Sequence, residues 1–125
     1  MKKLVLFLAA LPMAACAGPS VAPPAAFDDL PVEIRHSVSG VVVYDRGQLT
    51  GKRVEVLQGV QGESCSTSLG GRTATVGEAV LLARHQAYLL HADGITSLQC
   101  FPPKKTVACS ESISCSADAF RFLPR

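Results

Sequence analysis

The stretch Thr75-Val76-Gly77-Glu78-Ala79-Val80-Leu81-Leu82-Ala83-Arg84-His85-Gln86-Ala87-Tyr88-Leu89-Leu90 decides the fold. Thr75 and Glu78 fit a capping box, with Thr as N-cap and Glu reaching back from N3, just ahead of an apolar-rich run. Val76, Ala79, Val80, Ala83, Ala87 and Leu90 fall at offsets 0, 3, 4, 7, 11 and 14, which is one continuous helical face. Leu81, Leu82, Tyr88 and Leu89 widen that stripe, so the helix is expected to be well covered. Asp93-Gly94 supplies the stop, with Gly94 expected to take the left-handed conformation.

Strands flank the helix. On its N-terminal side, Gly40 to Tyr44 is β-branched and aromatic and runs into the turn formers Asp45-Arg46-Gly47, so it reads as a buried strand. Arg53 to Val60 alternates Val54 and Val56 with charged Arg53 and Glu55, the pattern of a half-exposed strand. Gly59 and Gly62 loosen it before Cys65, and Ser66 to Arg72 reads as a loop. On the C-terminal side, Ile95 to Phe101 reads as a strand, Pro102-Pro103-Lys104-Lys105 as a loop, and Thr106 to Cys109 and Cys115 to Phe122 as short strands. The order β-β-α-β-β predicts an α+β domain, a small antiparallel sheet packed against one main helix.

The 125 residues allow one small domain, and with no Trp and seven Phe plus Tyr its core must be small. Met1 to Ala15 has a basic start at Lys2 and Lys3, an apolar run from Leu4 to Leu11, and the small residues Ala14-Ala15, which is the secretory pattern. The run is too short to span a bilayer, which needs roughly 20 residues. Without Lys2 and Lys3, ten basic residues face ten acidic ones, which gives no electrostatic footprint for nucleic acid. Met13-Ala14-Ala15-Cys16 resembles the bacterial lipobox, with Met for the usual Leu, so Cys16 is the expected lipidation site. The alternative is an ordinary signal peptide with Cys16 incidental, which leaves the odd cysteine unexplained. By resemblance to enterobacterial lipoproteins, Ala17 after the cysteine implies sorting to the outer membrane. Residues 1–15 are thus read as a removed signal, 16–36 as a lipidated, Pro-rich flexible tether, and 37–125 as the folded domain. Counted from Cys16 to Gly40, the tether reaches about 80 Å at full extension.

Cys65, Cys100, Cys109 and Cys115 remain, an even number in an exported chain, so two disulfides are expected. A zinc tetrathiolate needs close Cys pairs, and the intervening stretches here are 34, 8 and 5 residues. No Cys-x-x-Cys redox motif is present. Spacing leaves three connectivities open.

Val41-Val42-Val43-Tyr44, Gly62-Glu63-Ser64-Cys65, Ala92-Asp93-Gly94-Ile95 and the spacing Cys65-x34-Cys100-x8-Cys109-x5-Cys115 together resemble the RcsF family. These are outer-membrane lipoproteins that sense envelope stress for the Rcs phosphorelay. The resemblance covers Gly40 to the C-terminus, plus the lipobox and tether. It implies two interleaved bonds, Cys65 with Cys109 and Cys100 with Cys115. It also implies a non-enzymatic, periplasm-facing signalling domain without cofactor. The implied partners are the outer membrane, the β-barrel assembly machinery, outer-membrane barrels, and an inner-membrane negative regulator of the relay. Two departures bear on partner contacts and on threading of the tether to the cell surface. The tether is shorter than the family's, and Cys115-Ser116-Ala117-Asp118-Ala119 replaces a Gly-containing pattern.

Other residues carry weaker signals. His36, His85 and His91 lack a carboxylate or cysteine at ligand spacing, and His85 and His91 are six apart, off the i, i+4 spacing of a helical metal pair. Ser64 has no Gly-x-Ser-x-Gly context. Lys104-Lys105 reads as a solvated loop tip with a partner or headgroup contact as the alternative, and Tyr88 as core. A structural or assembly lipoprotein that binds β-barrel proteins without signalling is the rival function. A small hydrolase or lectin-like binder would require a deep polar pocket.

Overall fold

Among the described residues, two helices of unequal length are set among four strands that range from 3 to 13 residues. The computed structural model describes residues 22–68 and 70–124. Its elements are a 3-10 turn Phe27–Asp29, helix α1 Val32–Val38, strand β1 Val42–Tyr44, a 3-10 turn Gly47–Leu49, strand β2 Val54–Ser66, helix α2 Val76–Leu89, strand β3 Gly94–Cys100 and strand β4 Glu111–Phe122. The fold is α+β, with a four-stranded sheet in the order β1-β3-β4-β2. β4 pairs antiparallel with both β2 and β3, but β1 runs parallel to β3. The sheet expected to be antiparallel is therefore mixed. β2 and α2 intervene between β1 and β3, which supplies the long connection that a parallel return requires.

α2 lies on one face of the sheet through small residues. Ala79, Ala83 and Ala87 are fully buried on it, against Val60, Ile95, Ile113, Ala117 and Ala119 of the strands. Gly62 lies under the helix, where an added Cβ would overlap the Ala79 carbonyl oxygen and the Ala83 amide nitrogen. Gly62 thus does not loosen β2, which continues unbroken to Ser66. On the opposite face, Tyr44, Phe120 and Phe122 pack edge to face at centroid separations of 5.2 to 5.7 Å, and Lys52 Nζ lies 5.3 Å from the Phe122 ring centroid.

The end of α2 departs from expectation. The left-handed residue is His91, at φ 57°, and Gly94 is not among the residues of positive φ. His91 N–H donates to the Tyr88 carbonyl and Ala92 N–H to the Ala87 carbonyl, both at 3.0 Å, which is the double bond of a Schellman cap. Gly94 opens β3, where its bare backbone accommodates the Tyr44 ring; a Cβ there would fall 2.7 Å from Tyr44 Cε2.

The folded body also begins earlier than residue 37. Ala26 and Val38 are buried, α1 packs on α2, and Phe27 N–H donates to Glu78 Oε2 at 3.3 Å. Residues 27–36, read as tether, are thus part of the body, and the 80 Å reach counted to Gly40 shrinks. Ten residue steps separate Cys16 from Ala26, about 35 Å at full extension. Thr106 to Cys109 is a turn rather than a strand. Thr106 N–H donates to the Cys109 carbonyl, and Cys109 N–H to Thr106 Oγ1, each at 3.0 Å.

Candidate functional site

Both disulfides are formed, Cys65–Cys109 and Cys100–Cys115, with Cα separations of 5.3 and 4.0 Å. They interleave along the chain, and they lie on opposite faces of the sheet. Cys115 pairs with Gly62 across β2 and β4 and packs with Ala79 beneath the helix. Cys65 belongs to the alternate set of β2 side chains and faces away from α2. The loop from Phe101 to Ala108 is therefore pinned at its start on the helix face and at its end on the other.

Backbone bonds fix that loop further. Phe101 N–H donates to the Ser114 carbonyl at 2.9 Å, Lys104 N–H to the Ser112 carbonyl at 3.0 Å, and Ser112 N–H to the Lys104 carbonyl at 2.7 Å. Ser110 N–H donates to the Ser66 carbonyl at 2.9 Å. Lys104, Lys105 and Val107 are exposed at the tip.

Two serine–carboxylate pairs hold this end of the sheet. Ser112 is buried and its Oγ donates to Glu63 Oε1 at 2.6 Å. Ser64, also buried, accepts from Thr75 N–H at 3.0 Å and donates to Glu78 Oε1 at 2.6 Å. The helix cap is thus a relayed capping box. Thr75 Oγ1 accepts from Glu78 N–H at 3.1 Å, as the Thr-x-x-Glu spacing predicts. The return bond from Glu78 runs through the Ser64 hydroxyl instead of directly to Thr75. Glu78 thereby joins α2, β2 and the N-terminal segment at Phe27.

Arg84 ties the other side of α2. Its Nε donates to the Val41 carbonyl at 2.6 Å and its Nη2 to the Ser39 carbonyl at 2.8 Å, clamping the junction between α1 and β1. Desolvation by partial burial lowers the pKa of this guanidinium from its ordinary value. The roles of Ser64, Glu78 and Arg84 in joining segments are invisible to helix periodicity, because each partner is distant in sequence.

The remaining sequence candidates scatter. His36 and His91 are exposed, and half-buried His85 lines a shallow groove of about 420 Å³ with Pro24, Ala25 and Glu63. Tyr88 is half-buried and packs against the core. Among the described residues, no three His, Cys, Asp or Glu side chains gather as a metal site, and no helix is long and apolar enough to cross a membrane. Cys16 and the 1–15 signal lie outside the described residues. No protein-family model matches the chain, and no curated protein matches it.

Proposed function

We propose that the protein is an outer-membrane lipoprotein that reports envelope stress to the Rcs phosphorelay through protein–protein contacts. The observation that carries this reading is the pairing of Cys65 with Cys109 and Cys100 with Cys115, the interleaved pattern that the RcsF resemblance implies. On this reading, lipid on Cys16 holds the body at the outer membrane, where the β-barrel assembly machinery and outer-membrane barrels engage its tethered end. When that engagement fails, the body binds the inner-membrane negative regulator and relieves repression. Such a mechanism requires a rigid body on a leash and no acid/base pair.

The test is relocation. Ala17→Asp should retain the protein in the inner membrane and raise a phosphorelay transcriptional reporter in a host that has the relay. A reporter that stays silent, with the protein verified as exported and oxidised, refutes signalling and favours the structural lipoprotein. Fatty-acid labelling should be lost in Cys16→Ser, and label that persists there overturns the anchor.

A further inference from the structure

The loop between the two staples has a composition that its structural duties do not explain. Phe101 to Ser110 contains Lys104 and Lys105 and no acidic residue. Its apolar side chains face water, Val107 at 94% exposure and Phe101 at 46%. A flexible loop could fold such groups inward. This one is anchored by Cys100 and Cys109 and bonded along β4 through its backbone, and Pro102-Pro103 restricts the remaining torsions. These anchors restrict the conformations open to the tip, which lowers the ordering cost of any contact it makes.

A second observation says what lies opposite the tip. Pro23 lines the same groove as Lys105, Val107 and Cys109, so the chain enters the body beside the loop. Cys16 is seven residues upstream of Pro23, at most about 25 Å away. That span is less than the 40 to 45 Å of a bilayer with its headgroups. With Pro23 seated at the body, a tether anchored at Cys16 is too short to be threaded across the membrane.

We infer that residues 101–110 form a contact site for an anionic lipid surface. Lys104 and Lys105 meet headgroup phosphates, and Val107 and Phe101 enter the interface between them. The placement of that surface rests on the reading of Cys16 as the lipidated residue; the affinity of the loop does not. A leash this short gives a high effective concentration, so a contact that is weak in solution is sufficient to hold the body flat. It also defines a resting state in which the 101–110 loop is occupied by membrane and is withheld from the inner-membrane regulator.

The experiment uses the mature chain with Cys16→Ser, so that no lipid contributes to binding. The natural sequence has no Trp, and Val107→Trp therefore gives a single emission reporter at a solvated position. Its emission should shift to the blue with phosphatidylethanolamine vesicles containing phosphatidylglycerol, and not with zwitterionic vesicles. Removing both positive charges by Lys104→Gln and Lys105→Gln should weaken vesicle binding about 30-fold, at about fivefold for each lysine near an anionic surface. Added salt should weaken it too. Absence of a shift overturns the inference, as does a shift that is equal on neutral vesicles or unchanged in the double variant. Binding to an acidic protein surface but not to vesicles also overturns it. Failed lipid labelling at Cys16 would refute the anchor without altering any of these readouts.

Discussion

Gly62→Ala is the substitution that tests the seating of α2 most directly. The new Cβ would overlap the backbone of Ala79 and Ala83 and lie 3.0 Å from the Ala79 carbonyl carbon. Helix backbone cannot rotate aside as a side chain can, so α2 must retreat by about 1 Å or more to restore ordinary contact. A radial gap of that size forfeits up to about half of each contact's dispersion energy, at about 0.1 to 0.2 kcal/mol per atom pair. Ala79, Ala83 and Ala87 all face the strands from fully buried positions. If the equivalent of about 20 pairs is lost, the cost is about 3 kcal/mol. Reduced entropy of the unfolded chain returns about 0.4 to 1 kcal/mol, which leaves a net loss of about 2 to 3.

Urea unfolding of the oxidised protein, followed by far-UV circular dichroism, measures this. At a slope of about 1 kcal/mol per molar, the midpoint should fall by about 2 to 3 M. Two controls separate contact from composition. A Cβ on Gly77 in the first turn of α2 meets nothing within 4 Å, and Gly77→Ala should stabilise by about 1 kcal/mol through helix propensity. On Gly59 the nearest atom is 3.9 Å away, an ordinary contact, and Gly59→Ala should change little. A Gly62→Ala midpoint within about 0.5 M of the parent, with an unchanged spectrum, would refute the close approach of helix and sheet.

His91→Gly should stabilise by about 1 kcal/mol, seen as a higher urea midpoint, because His91 occupies the left-handed conformation at the Schellman cap. Ser64→Ala should cost about 2 kcal/mol in the same assay, since Thr75 N–H and Glu78 Oε1 both lose their partner in a buried setting. In the loop-entropy account, replacing Cys65 and Cys109 together by Ala should cost about 4 kcal/mol, and replacing Cys100 and Cys115 about 3. Non-reducing peptide mapping checks the pairing itself, and a Cys109–Cys115 peptide would contradict it.

The elements legible in the sequence were those whose patterns are local. The Thr75 cap, the alanine stripe of α2 and the strand at Val42–Tyr44 are each written within a few neighbouring residues, although that strand, expected to be buried, lies at the sheet edge with Val42 exposed and Val43 and Tyr44 half-buried. Features decided across the fold were not. Gly62 has the appearance of a break in a strand, and only the backbone of α2 explains why no side chain fits. Ser112 and Ser114 have the composition of a loop, yet they are buried in β4, with Ser112 satisfied by Glu63. α1 spans seven residues, too few for a hydrophobic period to register, and follows a Pro-rich stretch that masks it. The parallel pairing of β1 with β3 depends on how a long connection returns, about which neither strand's residues carry information.

The same small residues that allow α2 to lie close explain why the domain needs its staples. Among the described residues, only Phe120, Ile95 and Val38 combine a large apolar side chain with less than 2% exposure, and much of the remaining core is alanine. Apolar burial at about 25 cal/mol per Å² yields little from alanine beyond its one methyl group. The two cross-links together contribute about 7 kcal/mol in the entropic account, comparable with the net stability of a small domain. Their placement matters as much as their sum. Because each bond joins one end of the 101–108 loop to a different strand, the covalent stabilisation is concentrated where Lys104, Lys105 and Val107 are displayed. Reduction would therefore remove the stability of the body and the geometry of its exposed tip at the same time, and under the signalling function proposed above a fixed contact surface would depend on oxidation for both reasons.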